Sequence, residues 1–286
     1  MRSPWWVACV LWAVAAVAFA GKGAPPPEAE AGMLVSGRII VGPDGKPREY
    51  ELKDPEKLPE NVRRFLEFHI PRWAFDPPML DNKPVALDNL MDIHLKAVRE
   101  GEGMRIQLAG ASFRPAAAKT PYEIRPRRMK PPAFPTLPDS VAGDVGAVVY
   151  VVLMIGPDGK VLEALDEQVN LHFVPDAQVA DAWRKRFVQP TLRAARSWTF
   201  DPPVRGEEAV ADYWTVRVPV TYHGWKAPRL ANQYGRWQAY VPGPRRQVPW
   251  VDAAGAREPL EALASDTLYL SGQEDQLKLL PGQAGT

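Results

Sequence analysis

The residues of this 286-residue chain that could do chemistry are few and scattered. Its four histidines, His69, His94, His172 and His223, share none of the short spacings that let two imidazoles reach one metal ion. The one cysteine, Cys9, lies inside an apolar N-terminal run, so the chain beyond that run has no thiol nucleophile, disulfide or cysteine metal site. There is no GxSxG elbow and no phosphate-binding glycine loop. Asp44 and Asp158 fall in turns, Asp76 and Asp201 at strand ends, and His69 lies on an apolar helix face. Each of these positions has a structural task, so no catalytic residue, metal or cofactor is assigned and an enzyme is not expected.

What must position any other function is a repeat. Trp198-Thr199-Phe200-Asp201-Pro202-Pro203 echoes Trp73-Ala74-Phe75-Asp76-Pro77-Pro78 with one change, and Gly-Pro-Asp-Gly-Lys precedes each copy, at 42–46 and at 156–160. Two markers recurring in the same order indicate two copies of one supersecondary unit. The predicted fold class is α+β, built from two tandem β-β-α-β-β units, each with a helix packed on an antiparallel sheet.

In the first unit, 33–113, Met33 to Val41 reads as a strand. Pro43-Asp44-Gly45 makes a turn in which Pro presets φ and Gly45 takes the left-handed corner, and residues 46–53 return as the partner strand. Val62, Phe65, Leu66 and His69 then recur at helical spacing until Pro71. Trp73 and Phe75, two apart, form a short strand whose rings cover the helix. The next strand carries Met91, Ile93, Leu95 and Ala97 on one face and Asp92, His94 and Lys96 on the other, and Met104 to Leu108 adds a further strand after a turn at Gly101–Gly103. The second unit, 131–223, repeats the plan: a strand at Gly146 to Ile155, a turn at Gly159, a return strand from Val161, a helical stretch from Pro175 to Arg196 that Pro190 should kink or split, Trp198 and Phe200, and a last strand with Val216, Val218, Val220 and Tyr222 on one face. Pro219, on the other face, cannot donate a ladder hydrogen bond, which marks one side of that strand as an open edge.

With 35 basic and 34 acidic residues the charge is balanced, and nothing points to nucleic acid. The 31 prolines require much connector. Between the units, 114–130 is basic and proline-containing: a solvated linker, or alternatively a contact strip for an anionic surface. Residues 224–286 read as a proline- and aromatic-rich arm followed by a disordered tail. At the N-terminus, Arg2, the apolar run Trp5–Ala20 and Ala18-Phe19-Ala20 read as a cleaved signal peptide, 1–20, and hence as export to the periplasm; an uncleaved inner-membrane anchor is the alternative.

Pro131-Pro132-Ala133-Phe134-Pro135, the Gly143–Val161 strand and turn, Ala194 to Pro203 and Val216-Arg217-Val218-Pro219-Val220 together resemble the C-terminal domain of TonB energy transducers. The first unit resembles the same domain without the proline-aromatic lead. The resemblance implies a periplasmic domain that binds outer-membrane receptors by adding a receptor segment to its sheet as a strand. Carried onto this chain, the binding edge is the last strand, through Tyr213, Thr215, Arg217, Pro219 and Thr221, with Pro131, Pro132, Phe134 and Pro135 as a second contact; Trp73, Phe75, Trp198, Phe200, Gly45 and Gly159 are structural.

The expected function is therefore a non-enzymatic protein-binding module whose partner is an envelope protein, such as an outer-membrane receptor. Only Gly21–Gly32 separates the leader from the first unit, so plain binding ranks above an anchored energy transducer. A cell-wall-associated structural protein is the third reading. The two similar units also suit pairing with each other, within one chain or between two.

Overall fold

The computed structural model describes residues 29–280 except 81–82, 102, 117–123, 138–142, 144, 174, 177–178, 206–207, 210, 225, 227–233, 252–254, 258, 266 and 271–276. The leader at 1–20 lies outside the described residues. The architecture is mixed α/β: antiparallel sheets and, among the described residues, two α-helices.

The first sheet is built from β1 (Glu30–Val41), β2 (Pro47–Leu52), β3 (Leu87–Glu100) and β4 (Gly103–Pro115), with helix α1 (Glu60–His69) inserted before β3. Its order places β1 between β2 and β3, with β4 outermost. The second is built from β6 (Ala147–Ile155), β7 (Val161–Leu171) and β9 (Trp214–Tyr222), with helix α2 (Ala180–Ala195) after β7. Here β6 lies between β7 and β9. Strand β5 (Arg125–Arg128) pairs with β8 (Thr199–Asp201) beside the second sheet. Two short strands come from the C-terminal region: β10 (Gln238–Tyr240) extends the first sheet along β1, and β11 (Tyr269–Leu270) extends the second along β9.

Alternation explains both cores. Met33, Val35, Ile39, Met91, Ile93 and Leu95 share the face of the first sheet that meets Val62 and Leu66 of α1. Val149, Val151, Leu153, Val216, Val218 and Val220 share the corresponding face of the second and meet Phe187 of α2. Pro190, expected to kink or split α2, does not split it: it sits inside a single 16-residue helix. Thr191 donates its hydroxyl to the Phe187 carbonyl at 2.7 Å on the buried side of that turn. His69 is only half-buried, its ring packed on Phe65 at 4.2 Å.

The two repeated markers touch each other. Phe75 N–H donates to the Gly45 carbonyl at 2.9 Å, and Phe200 N–H to the Gly159 carbonyl at 2.8 Å. Both glycines hold left-handed φ, +73° and +77°, and a Cβ on either would strike the carbonyl oxygen of the facing phenylalanine, at 2.3 Å from Phe75 and 2.0 Å from Phe200. The Trp and Phe rings of each copy are buried in the local core. Trp73 and Phe75 nevertheless form no strand of the first sheet; a 3-10 turn at Ile70–Arg72 runs into them, Phe75 makes one isolated bridge to Leu279, and both rings pack edge-on against Phe113.

Gly159→Ala is therefore expected to cost on the order of 2–4 kcal/mol, left-handed strain plus a backbone clash that cannot relax. Gly101→Ala, also at positive φ but with nothing within 4 Å, should lose only about 1 kcal/mol. Urea unfolding of both variants checks this, and equal losses would mean the contact with Phe200 is slack.

Two expectations change here. The basic linker is not wholly a connector, because its residues 125–128 pair with β8, Arg127 bonds Asp201, and Ile124 is buried. The described part of the tail is not disordered: Leu260, Ala262, Leu263, Tyr269 and Leu277 are buried, and 3-10 turns at Gly255–Arg257 and Leu260–Ala262 lead to β11. The apolar residues there are too widely spaced to show a period, yet Leu260, Leu263 and Tyr269 pack on Val148 and Tyr150, and Leu277 joins the core of the first sheet.

Candidate functional site

The faces of the two sheets that point away from the helices carry polar residues, which in an isolated unit would meet water. In this chain they are buried, because the C-terminal region bridges them. Ser112 of β4 donates to the Ala262 carbonyl at 2.7 Å, and Tyr269 donates to Asp92 of β3 at 3.2 Å. On the other side, Gln168 of β7 donates to Glu261 at 2.8 Å, Thr221 of β9 meets the Ser265 hydroxyl at 2.6 Å, and Leu260, Leu263 and Tyr269 pack on Val148 and Tyr150 of β6. Strand β10 pairs with β1, and the next residue, Val241, bridges to Leu171 of β7. The chain thus passes from the edge of one sheet to the edge of the other within two residues.

Buried charge is paired, as the cost of dehydrating it requires. Arg217 is 0% exposed and bonds Glu167, itself 2% exposed, at 2.7 Å; Arg245 adds a second cation at 2.6 Å. Asp166 takes Arg246 at 2.6 Å, and Asp92 accepts the Ser36 hydroxyl at 2.6 Å. Glu167 is the extra residue of a β-bulge opposite Tyr150 and Val151, which turns two consecutive polar residues of β7 toward different partners.

At the junction lies a cavity of about 110 Å³ lined by His94, His172, Tyr150, Tyr240, Asn170 and Glu261, with Gly32, Met33, Leu34, Val148, Gln238, Leu263 and Ser265. The Tyr240 ring sits between the two imidazoles, 6.0 Å from His94 and 6.5 Å from His172. Burial pushes His94 down to about 4, against the opposing pull of Glu261, and burial with the nearby His223 pushes His172 down to about 4. Both imidazoles are neutral at pH 7. Burial likewise pushes the Tyr150 and Tyr240 phenols up, so they remain protonated. Such a site can donate, accept and exclude water, but it offers no activated nucleophile. Among the described residues no three His, Cys, Asp or Glu side chains are grouped to hold a metal ion.

The residues expected at a binding edge fall elsewhere. Arg217 and Pro219 are buried and Thr221 is bonded to Ser265; Tyr213 is exposed and Thr215 half-buried. The outer side of β9 is not open along its length, because Val216 and Arg217 pair with Leu270 and Tyr269 of β11. The side expected to lie open at Pro219 is thus filled, at Val216 and Arg217, by a later segment of the same chain. The proline-aromatic lead is docked on its own unit: Phe134 packs edge-on against Phe187 and Tyr222, Pro135 is buried, and the Lys130 carbonyl before Pro131 and Pro132 accepts Trp198 Nε1 at 2.8 Å.

An open edge does exist, on β4. It is the last strand of its sheet, and between Gly103 and Ala109 no backbone bond joins its outer side to another described segment. Met104 there is 58% exposed. Regular pairing with β3 runs from Gly103 to Leu108 and is interrupted by a bulge at Ala109. The sequence marked Met104 to Leu108 only as an added strand. The polar cavity gave a fainter sign, the unbroken run Asp166-Glu167-Gln168 in the middle of a strand, where alternation predicts an apolar residue.

Comparison of the chain with family models, with characterised proteins and with solved structures returns no match. Among the described residues no helix is long and apolar enough to cross a membrane.

Proposed function

We propose that the chain is a non-enzymatic protein-binding module of the cell envelope, exported to the periplasm, which takes a segment of another envelope protein as an added strand on β4 between Gly103 and Leu108. The observation that carries this reading is the unpaired outer side of that strand, six residues in regular register with exposed Met104 at its start. Main-chain groups at such an edge supply most of the attraction in strand addition, and an unprotected edge of this length is otherwise an aggregation hazard. The bulge at Ala109 limits the docking stretch and restrains self-pairing beyond it.

The TonB-like character of the chain belongs to the same proposal. In both halves a hairpin is followed by a helix and then by a strand that joins the free side of the hairpin's first strand. The contact between the Gly-Pro-Asp-Gly-Lys turn and the WxFDPP segment is also made twice. These parallels support two tandem copies of one unit. They support binding more than energy transduction, since the two units and the tail make one joined body with its polar faces turned inward.

A photo-crosslinking amino acid at Met104, introduced in cells, tests the reading. It should trap an envelope protein. The backbone N–H groups of adjacent residues point to opposite sides of a strand, so one of Ile106→Pro and Gln107→Pro should abolish the adduct while preserving the fold, and the other should disturb pairing with β3. No adduct, an adduct only with a second copy of the chain, or an adduct indifferent to both prolines would refute it.

A further inference from the structure

We infer that the cavity between the two sheets is a binding site for a small primary ammonium ion. Among the described residues its walls carry one carboxylate, Glu261, and no lysine or arginine. Among the described residues that carboxylate is held by two amide donors, Gln168 Nε2 at 2.8 Å and Asn170 Nδ2 at 3.4 Å, which orient it without neutralising it. It lines the same cavity as His94, Tyr150 and Tyr240. Lys96, the cation nearest His94, is already engaged by Glu30 at 2.6 Å.

Glu261 is half-buried, with its bonded oxygen held on the side chains of buried Gln168 and Asn170, and a carboxylate set in such a recess with no cation bonded to it among the described residues favours a positive guest. The rest of the lining suits an ammonium group. Neutral imidazoles of His94 and His172 each present one acceptor nitrogen, the Tyr150 oxygen presents another, and the Tyr240 ring between the imidazoles supplies a π face. Three N–H donors of a primary ammonium can be shared among these acceptors, whereas an anion would meet Glu261 with no compensating charge. A space of about 110 Å³ takes a few water molecules or a small organic ion, and Leu34, Gln238 and Ser265 at its rim are half-exposed, which leaves a way in. This site is remote in role from the β4 edge and does not depend on strand addition.

Isothermal titration of the full chain with methylammonium and ethanolammonium chloride at pH 7.5, against sodium acetate and tetramethylammonium chloride, decides the matter. Saturable one-to-one binding of the primary ammonium ions is expected, with acetate and the bulkier, donor-free cation failing to bind. Glu261→Gln, nearly isosteric and able to keep a bond to Gln168, should weaken the affinity at least tenfold with an unchanged circular dichroism spectrum. Absence of saturable binding by the unaltered chain, equal binding of acetate, or undiminished affinity in a folded Glu261→Gln protein would each overturn the assignment.

Discussion

Glu167→Ala is expected to destabilise the protein by about 3–5 kcal/mol, the usual cost of breaking a buried ion pair by removing one partner. Arg217 cannot turn to water, because β9 holds it between β6 and the C-terminal segment, where it also donates to the Gly255 carbonyl at 3.0 Å. Arg245 is partly exposed and can find solvent, so the loss should come mainly from Arg217. The asymmetry between breaking a buried pair and removing it gives a sharper test. The double variant Glu167→Leu, Arg217→Met should be more stable than Glu167→Ala alone, since it removes the fully buried cation together with the carboxylate and leaves only the partly exposed Arg245 to find solvent. Guanidinium unfolding of the three proteins measures both effects. A single-variant loss below about 1 kcal/mol, or a double variant less stable than the single, would show that the pair is not sealed from water.

The second large effect is acid lability. His94 and His172 titrate near 4 in the folded chain and near the ordinary histidine value of about 6.5 once unfolded. Between those values the unfolded state binds protons that the folded state refuses, so stability falls as pH falls. It is fully present above about pH 6.5 and lost progressively toward pH 4. His94 should contribute on the order of 3 kcal/mol across that window, and His172, which keeps some exposure, less. The groups facing His94 are Glu261, Lys96 and Glu30, and their net influence is small beside burial. Urea midpoints at pH 7, 5.5 and 4.5 should drop steadily, and His94→Gln should flatten the decline. A midpoint unchanged between pH 7 and 4.5 would exclude buried neutral imidazoles at this junction.

What was legible in the sequence was local. The turn chemistry of Pro43-Asp44-Gly45 and Pro157-Asp158-Gly159, the helical spacing of Val62 and Leu66, and the alternation of Met91, Ile93 and Leu95 each express one element's own periodicity, and the structure repeats them. The open edge was mislaid for a different reason. Pro219 reports that one side of β9 lacks a ladder donor, but which segment covers that side depends on residues more than 50 positions away, at Tyr269 and Leu270. The candidate cavity was hidden by the same kind of distance. Asp92, His94, Gln168 and Asn170 look like solvent-facing residues of two half-buried sheets, and it is the later residues Tyr240, Gly243, Glu261 and Tyr269 that cover them. A tail with no period carries no local signal of where it will lie, so hydrophobic spacing alone could not place it.

The bridging tail also sets an order of assembly. Asp92 waits 177 residues for Tyr269, and Glu30 waits 210 for Tyr240. Each helix-backed sheet has its own apolar core and can form as soon as its own strands have emerged. Their joining waits for Tyr240 and Tyr269, because contacts between residues so far apart in the chain have the greatest loop-closure cost. During synthesis each sheet can thus form with its polar face still wet, and the described residues between 238 and 270 act as the keystone that joins the two faces.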